Sequence, residues 1–111
     1  MYIPTFQDML DAHQRIKPHI NRTPVRSSAY LNDLTGAQLF FKCENFQEPG
    51  AFKVRGAANA VFGLNDGQAR HGVATHSSGN HAQAIAYAAR EVGTKAFIVM
   101  PDNSPKVKWM P

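Results

Sequence analysis

Cysteine is almost absent from this chain. Cys43 stands alone in 111 residues, which excludes an internal disulfide and every zinc site built on paired cysteines. Long apolar runs are missing too: none approaches the roughly eighteen residues of a membrane helix, so no membrane partner is expected. The opening Met1-Tyr2-Ile3-Pro4-Thr5-Phe6 has neither a basic start nor an extended apolar stretch. It does not read as a secretory signal, and a cytoplasmic location is the default expectation. Basic residues exceed acidic ones only modestly, 12 against 8, and are scattered from Arg15 to Lys108 without a cluster. The aromatics do not alternate with them as a stacking platform for single strands requires, so no nucleic-acid partner is expected.

What is there is an ordinary globular composition, with 43% apolar and 18% charged residues, eight Gly and seven Pro. The length suits one small domain that buries about 65% of its unfolded surface and excludes a second complete one. Thr5 followed by Asp8 forms a capping box, and Phe6, Met9, Leu10, Ile16 and Ile20 keep close to one helical face. Pro18 ends or kinks that helix near Lys17. Thr23-Pro24 then forces an extended step into a short helix from Ser27 or Ser28 to Gly36. Gln38 to Glu44 reads as an interior strand, apolar enough on both faces, with Cys43 a buried inert thiol inside it. A loop covers Asn45 to Gly50.

Val54, Ala57, Ala58, Val61 and Phe62 recur at helical spacing, so about Phe52 to Leu64 reads as a helix packed against a sheet. After a polar turn at Asn65-Asp66-Gly67 the order is strand (Val73 to His76), turn (Ser77 to Asn80), helix (His81 to Val92), stop at Gly93 and strand (Ala96 to Met100). That is a βαβ unit. The alternation predicts an α/β fold, a parallel sheet with flanking helices, in which ligands bind where strand ends feed helix amino termini. Ser104 as cap and Pro105 at the first helical position open another helix, but only six residues follow Pro105, and the chain reads as cut off.

Two segments carry chemistry. Gly50-Ala51-Phe52-Lys53-Val54-Arg55-Gly56-Ala57 delivers a lysine to the first turn of a helix, where the backbone dipole and partial burial beside Phe52 both disfavour an ammonium. A neutral amine there can form a Schiff base with a carbonyl cofactor; the bland alternative is a surface lysine at a helix start. Thr75-His76-Ser77-Ser78-Gly79-Asn80-His81-Ala82 joins a strand to a helix, and its small residues and helix-start amides suit an anion such as a carboxylate. The alternative is a simple turn capped by Ser77 or Asn80. A Ser78–His81 nucleophile pair lacks any acidic residue to orient the imidazole. His13, His19 and His71 have no ligand-like spacing and read as surface or half-buried.

Taken in order, Lys42-Cys43-Glu44-Asn45-Phe46-Gln47, the lysine octapeptide and the Ser77-Ser78-Gly79-Asn80-His81 turn resemble the serine/threonine dehydratase and serine racemase family. These are pyridoxal 5'-phosphate enzymes of the tryptophan synthase β-like fold (fold type II). The resemblance extends over Arg22-Thr23-Pro24 and the strand ending at Met100-Pro101, essentially the whole chain. Cysteine and threonine synthases carry different residues after the lysine and in the turn. The resemblance implies that Lys53 forms the Schiff base with the cofactor and then removes the α-proton, that Phe52 packs on the cofactor, and that Asn80 bonds its 3-hydroxyl. It makes Ser77, Ser78, Gly79, Asn80 and His81 the loop for the substrate carboxylate, and Ser78 the acid/base of the opposite face. Loss of the β-hydroxyl would then give an aminoacrylate that hydrolyses to a 2-oxo acid and ammonia.

The implied function is a PLP-dependent ammonia-lyase acting on L-serine or L-threonine, with a small hydroxy amino acid as substrate and a homo-oligomer in full-length members. Serine racemase, or an inactive fragment serving as an interaction module, are the competing readings. Residues 1–70 would belong to the larger cofactor-binding domain and 71–111 to the first βαβ portion of the smaller one. Family members are roughly three times as long. Their glycine-rich phosphate loop, pyridine-nitrogen partner and divalent-cation ligands lie downstream, so no metal ligand is expected in this chain, and the chain alone is expected to be weakly active or inactive. Ala51 stands where many relatives have Ser. With later strands missing, Phe40, Phe41 and Ile98 are expected to lie uncovered.

Overall fold

Thr5 starts the first helix with a reciprocal cap: its hydroxyl accepts from the Asp8 amide at 3.3 Å, and the Asp8 carboxylate accepts from the Thr5 amide at 2.6 Å. The structure, a computed structural model, describes residues 2–104. Helix α1 (Phe6–Ile16) gives way at Pro18 to a turn of 3-10 helix, Lys17–His19, as the proline predicts. Its expected apolar face is only partly covered. Ile16 is buried and Ile20 packs beside it, whereas Phe6 (70%), Met9 and Leu10 are exposed. The 3.6-residue spacing encodes a face but not its partner, and α1 meets α3 through the side that carries Ile16.

Ser28 caps α2 (Ala29–Thr35), which ends at Gly36 with φ of 66°. Flanking it, β1 (Val25–Arg26) pairs antiparallel with β2 (Phe41–Lys42). The interior strand expected over Gln38 to Glu44 is therefore corrected to a two-residue exposed ribbon. At one end of the ribbon Pro24 has no N–H to donate and only accepts from the Cys43 amide, and at the other the Ser27 hydroxyl, not a backbone group, reaches the Leu39 carbonyl. Cys43 is half-buried rather than buried, its thiol 3.4 Å from the Phe41 carbonyl. Phe40 and Phe41 are exposed, as expected, while Ile98 is half-buried.

Helix α3 (Lys53–Phe62) precedes a short helix α4 (Asp66–Ala69), capped reciprocally by Asn65 and Gln68 where a plain polar turn is expected. Strand β3 (Val73–His76), helix α5 (Asn80–Glu91) and strand β4 (Ala96–Val99) form the βαβ unit. The strands run parallel, with Val73 opposite Ala96 and His76 opposite Val99. Gly72 makes this sheet's first approach: its φ is +82°, and a Cβ there would meet the Lys95 carbonyl and the Phe97 ring at 2.8 Å.

The core is a seam between helices. Val54, Ala57, Ala58 and Val61 of α3 meet Ala84, Ile85 and Ala88 of α5, with Ile16 beside them. Alanines on both sides let the axes approach closely, and Val54 is the largest fully buried side chain. The expectation that α3 packs on the sheet is corrected: α5 lies on β3 and β4, and α3 packs on α5 and α1. The helix expected from Ser104 and Pro105 falls, beyond Ser104, outside the described residues. Among the described residues no helix is long and apolar enough to cross a membrane.

Candidate active site

The buried face of α3 begins at Val54 and continues through Ala57, Ala58 and Val61. At about 100° per residue, Lys53 and Arg55 flank that face on opposite sides, roughly 200° apart. Lys53 is thus exposed, as is Phe52 at 58%, and the partial burial expected of this lysine is corrected. The ammonium lies 5.1 Å from the Phe52 ring centroid, and it has no hydrogen-bond or ion-pair partner among the described residues. The helix start is bare as well. Phe52 occupies the N-cap position and supplies no side-chain hydrogen bond. Before it, Gly50 at φ +101° takes the chain through a turn that donates to the Gln47 carbonyl, a conformation that favours glycine.

The second segment sits at the carboxyl end of β3. The Ser77 amide donates to the Val99 carbonyl at 3.1 Å, extending the ladder past His76. The Ser77 hydroxyl accepts from the Gly79 amide at 3.2 Å. The N-cap of α5 is Gly79, so neither Ser77 nor Asn80 caps the helix, and no side chain covers its first-turn amides. An open cleft of about 480 Å³ lies here, lined by His76, Ser77 and Ser78 from one strand end and Val99, Met100 and Pro101 from the other. Phe52, Lys53, Gly79, Asn80 and His81 stand outside that lining. Lys53 opens α3 and Asn80 opens α5, two helices that pack on each other.

A third group went unassigned at the level of sequence. Glu44 and Arg55 make a two-pronged ion pair: Nε donates to Oε2 and Nη2 to Oε1, both at 2.8 Å. The Thr23 hydroxyl donates to the same Glu44 Oε1 at 2.5 Å, and the Lys42 ammonium to the Thr23 carbonyl at 2.6 Å. Gln47, buried at 3%, accepts from the Asn21 amide and donates to the Asn21 carbonyl, each at 2.8 Å. The Arg55 hydrogen bonds hold the Glu44 carboxyl down to about 2, outweighing the opposite effect of burial. The signal in the sequence was an acidic and a basic residue on either side of a glycine turn. Spacing could not show that the turn folds back to join them.

The family model described as pyridoxal-phosphate dependent enzyme matches residues 16–110. The β-hydroxyaspartate dehydratase of Paracoccus denitrificans is 71% identical over 108 residues, which cover 97% of this chain and 34% of that protein. The L-threo-3-hydroxyaspartate ammonia-lyase of Saccharomyces cerevisiae is 55% identical, with 97% and 33% covered. The structure of maize serine racemase superposes with a TM-score of 0.94 at 50% identity, covering 97% of this chain and 33% of that one. The chain thus spans about a third of the length of the relatives it matches. A matching family model over most of its residues, on an α/β unit shared with fold type II enzymes, places the chain in the family of pyridoxal-phosphate dependent enzymes.

Proposed function

We propose that this chain carries the lysine and the carboxylate turn of a pyridoxal-phosphate dependent ammonia-lyase for β-hydroxy amino acids. The observation that carries the reading is an exposed lysine amine with no hydrogen-bond or ion-pair partner among the described residues, on one helix start, beside an uncapped start of the helix packed against it. The donor set fits the cofactor: a primary amine for its aldehyde, the Asn80 amide for its 3-hydroxyl and the Phe52 ring for its face. Bound there, the cofactor supplies a conjugated sink for the electrons left when the α-carbon loses its proton.

The chain's own residues do the rest. Lys53 would hold the cofactor through its amine, and the same amine is the base for the α-proton on its side. The Ser77, Ser78, Gly79, Asn80 and His81 turn would orient the substrate carboxylate, the first-turn amides of α5 offering donors that no side chain covers. Loss of the β-hydroxyl as water and hydrolysis of the remainder give a 2-oxo acid and ammonia. Hydroxyaspartate is the substrate favoured by the two relatives named for it, with serine and threonine the alternatives. The maize structure favours one second reading, serine racemisation, in which Ser78 returns the proton to the opposite face. Residues 1–70 and 71–111 would contribute to the larger and the smaller domain respectively.

Borohydride reduction of the protein isolated from its source, followed by intact mass and peptide mapping, tests the reading. A pyridoxyl adduct on Lys53, lost in Lys53→Ala, is the expected result. Absence of any adduct at Lys53 would leave an interaction module as the better account. Assay of the same sample with 3-hydroxyaspartate, serine and threonine then ranks the substrates.

A further inference from the structure

Apart from the Phe52 ring, Lys53 has no contact among the described residues that would fix where its amine points. Its ammonium has no polar partner among the described residues, and its helix start lacks a side-chain cap. The tie on this first turn comes from two residues on. Arg55 reaches back with both prongs to Glu44, from the side of α3 opposite Lys53. Glu44 is fixed in turn by the Thr23 hydroxyl, and the peptide after it by Gln47, whose amide grips both the donor and the acceptor of Asn21.

We propose that Glu44 and Arg55 are positioning residues: a two-pronged clamp behind α3, braced by Thr23 and Gln47, that sets the direction of the Lys53 amine. The inference rests on the reading of Lys53 as the cofactor lysine. The two-pronged geometry matters because two parallel bonds restrict rotation as well as distance, which a single contact does not. A clamp that leaves α3 free to rotate by even a fraction of a turn would swing position 53, and reaction rates fall steeply with such misplacement.

The test compares Lys53 with Lys95, an exposed lysine elsewhere in the same chain, as an internal control. The protein is stripped of cofactor, mixed with pyridoxal 5'-phosphate, and quenched with borohydride at short intervals. Peptide mapping gives the ratio of the capture rates at the two lysines. Because loosening of the whole fold would also lower this ratio, it is read only in variants that keep the slow amide exchange of the α3 and α5 seam; in those, a lower ratio reports misdirection of Lys53. In Arg55→Met and Glu44→Gln the ratio should fall about tenfold, and Arg55→Lys, which keeps one prong, should lie between them and the unaltered chain. Circular dichroism confirms that each variant retains its helices. If Arg55→Met does not fold, Glu44→Gln decides alone, because it preserves shape while removing the charge and one of the two oxygens that accept from Arg55. A ratio within twofold of the unaltered chain in a folded variant overturns the clamp while leaving the lysine reading intact. No preference for Lys53 in the unaltered chain would overturn both.

Discussion

At the scale of single residues, the two faces of the reacting carbon define separate duties. On the proposed reading Lys53 serves one face, so the enantiomer presented with its α-hydrogen toward Lys53 would need no second acid or base. Ser78→Ala is therefore expected to leave turnover of that enantiomer within about tenfold, and to lower turnover of its mirror image, and any racemisation, by about 10²-fold or more. Chiral analysis of substrate and product separates the two effects. Equal losses for both enantiomers would mean that Ser78 serves only in carboxylate binding. Glu44 has a different signature, in stability. Its carboxyl lies near 2 in the folded chain against an ordinary 4.5, so the unfolded chain binds the proton more tightly. The stabilisation from its pair with Arg55 is thus present above about 4.5 and is lost as pH falls through about 2. Urea midpoints measured across that range should drop in the unaltered chain, and should drop less in Glu44→Gln, which has no carboxyl to protonate.

At the scale of elements, the seam between α3 and α5 works because its residues are small. Ala58 and Ala84 are both fully buried, so a larger side chain has no space to enter. Ala58→Leu should destabilise by about 1–3 kcal/mol, read as a lower urea midpoint, whereas the exposed Ala86→Leu on the outer side of α5 should be near neutral. Gly72→Ala should cost more than about 1 kcal/mol, from positive φ and from collision with the β4 approach together. These elements were legible in different degrees. The strand bounds Val73 to His76 and the caps at Thr5 and Ser28 follow from local side-chain chemistry, which spacing records. The ribbon of β1 and β2 does not, since alternation in Gln38 to Glu44 describes a strand without saying how long a partner it finds. Exposure of Lys53 was equally hidden, because the dipole argument places a lysine on a helix turn but not on the covered or open side.

At the scale of the whole molecule, surface dominates. The accessible area is 8383 Å², against about 6,000 Å² for a closed monomer of this mass. The radius of gyration, 16.9 Å, likewise exceeds the about 13 Å of a closed domain this long. Phe6 and Met9 on α1, Tyr30 and Leu34 on α2, and Phe40 beside β2 are all exposed. The 111-residue chain on its own should therefore bind a hydrophobic dye strongly and retain slow amide exchange only in the α3 and α5 seam. A dye-silent chain with β1 and β2 fully protected would show that this surface is satisfied in some other way.

The amino-acid sequence by itself determined the βαβ unit, the caps at Thr5 and Ser28, the lysine at a helix start, the strand-to-helix turn at Ser77 to Asn80 and the family they resemble. Each of these is written in residues adjacent along the chain or at a fixed spacing, where local sterics and hydrogen bonding act without a distant partner. Only the tertiary structure decided that α3 packs on α5 and α1, that Lys53 stands open beside Phe52, and that Glu44 closes on Arg55 behind it. Those outcomes depend on which surfaces meet when the chain folds back. Burial and long-range pairing are properties of that meeting, and no periodicity along the chain contains them.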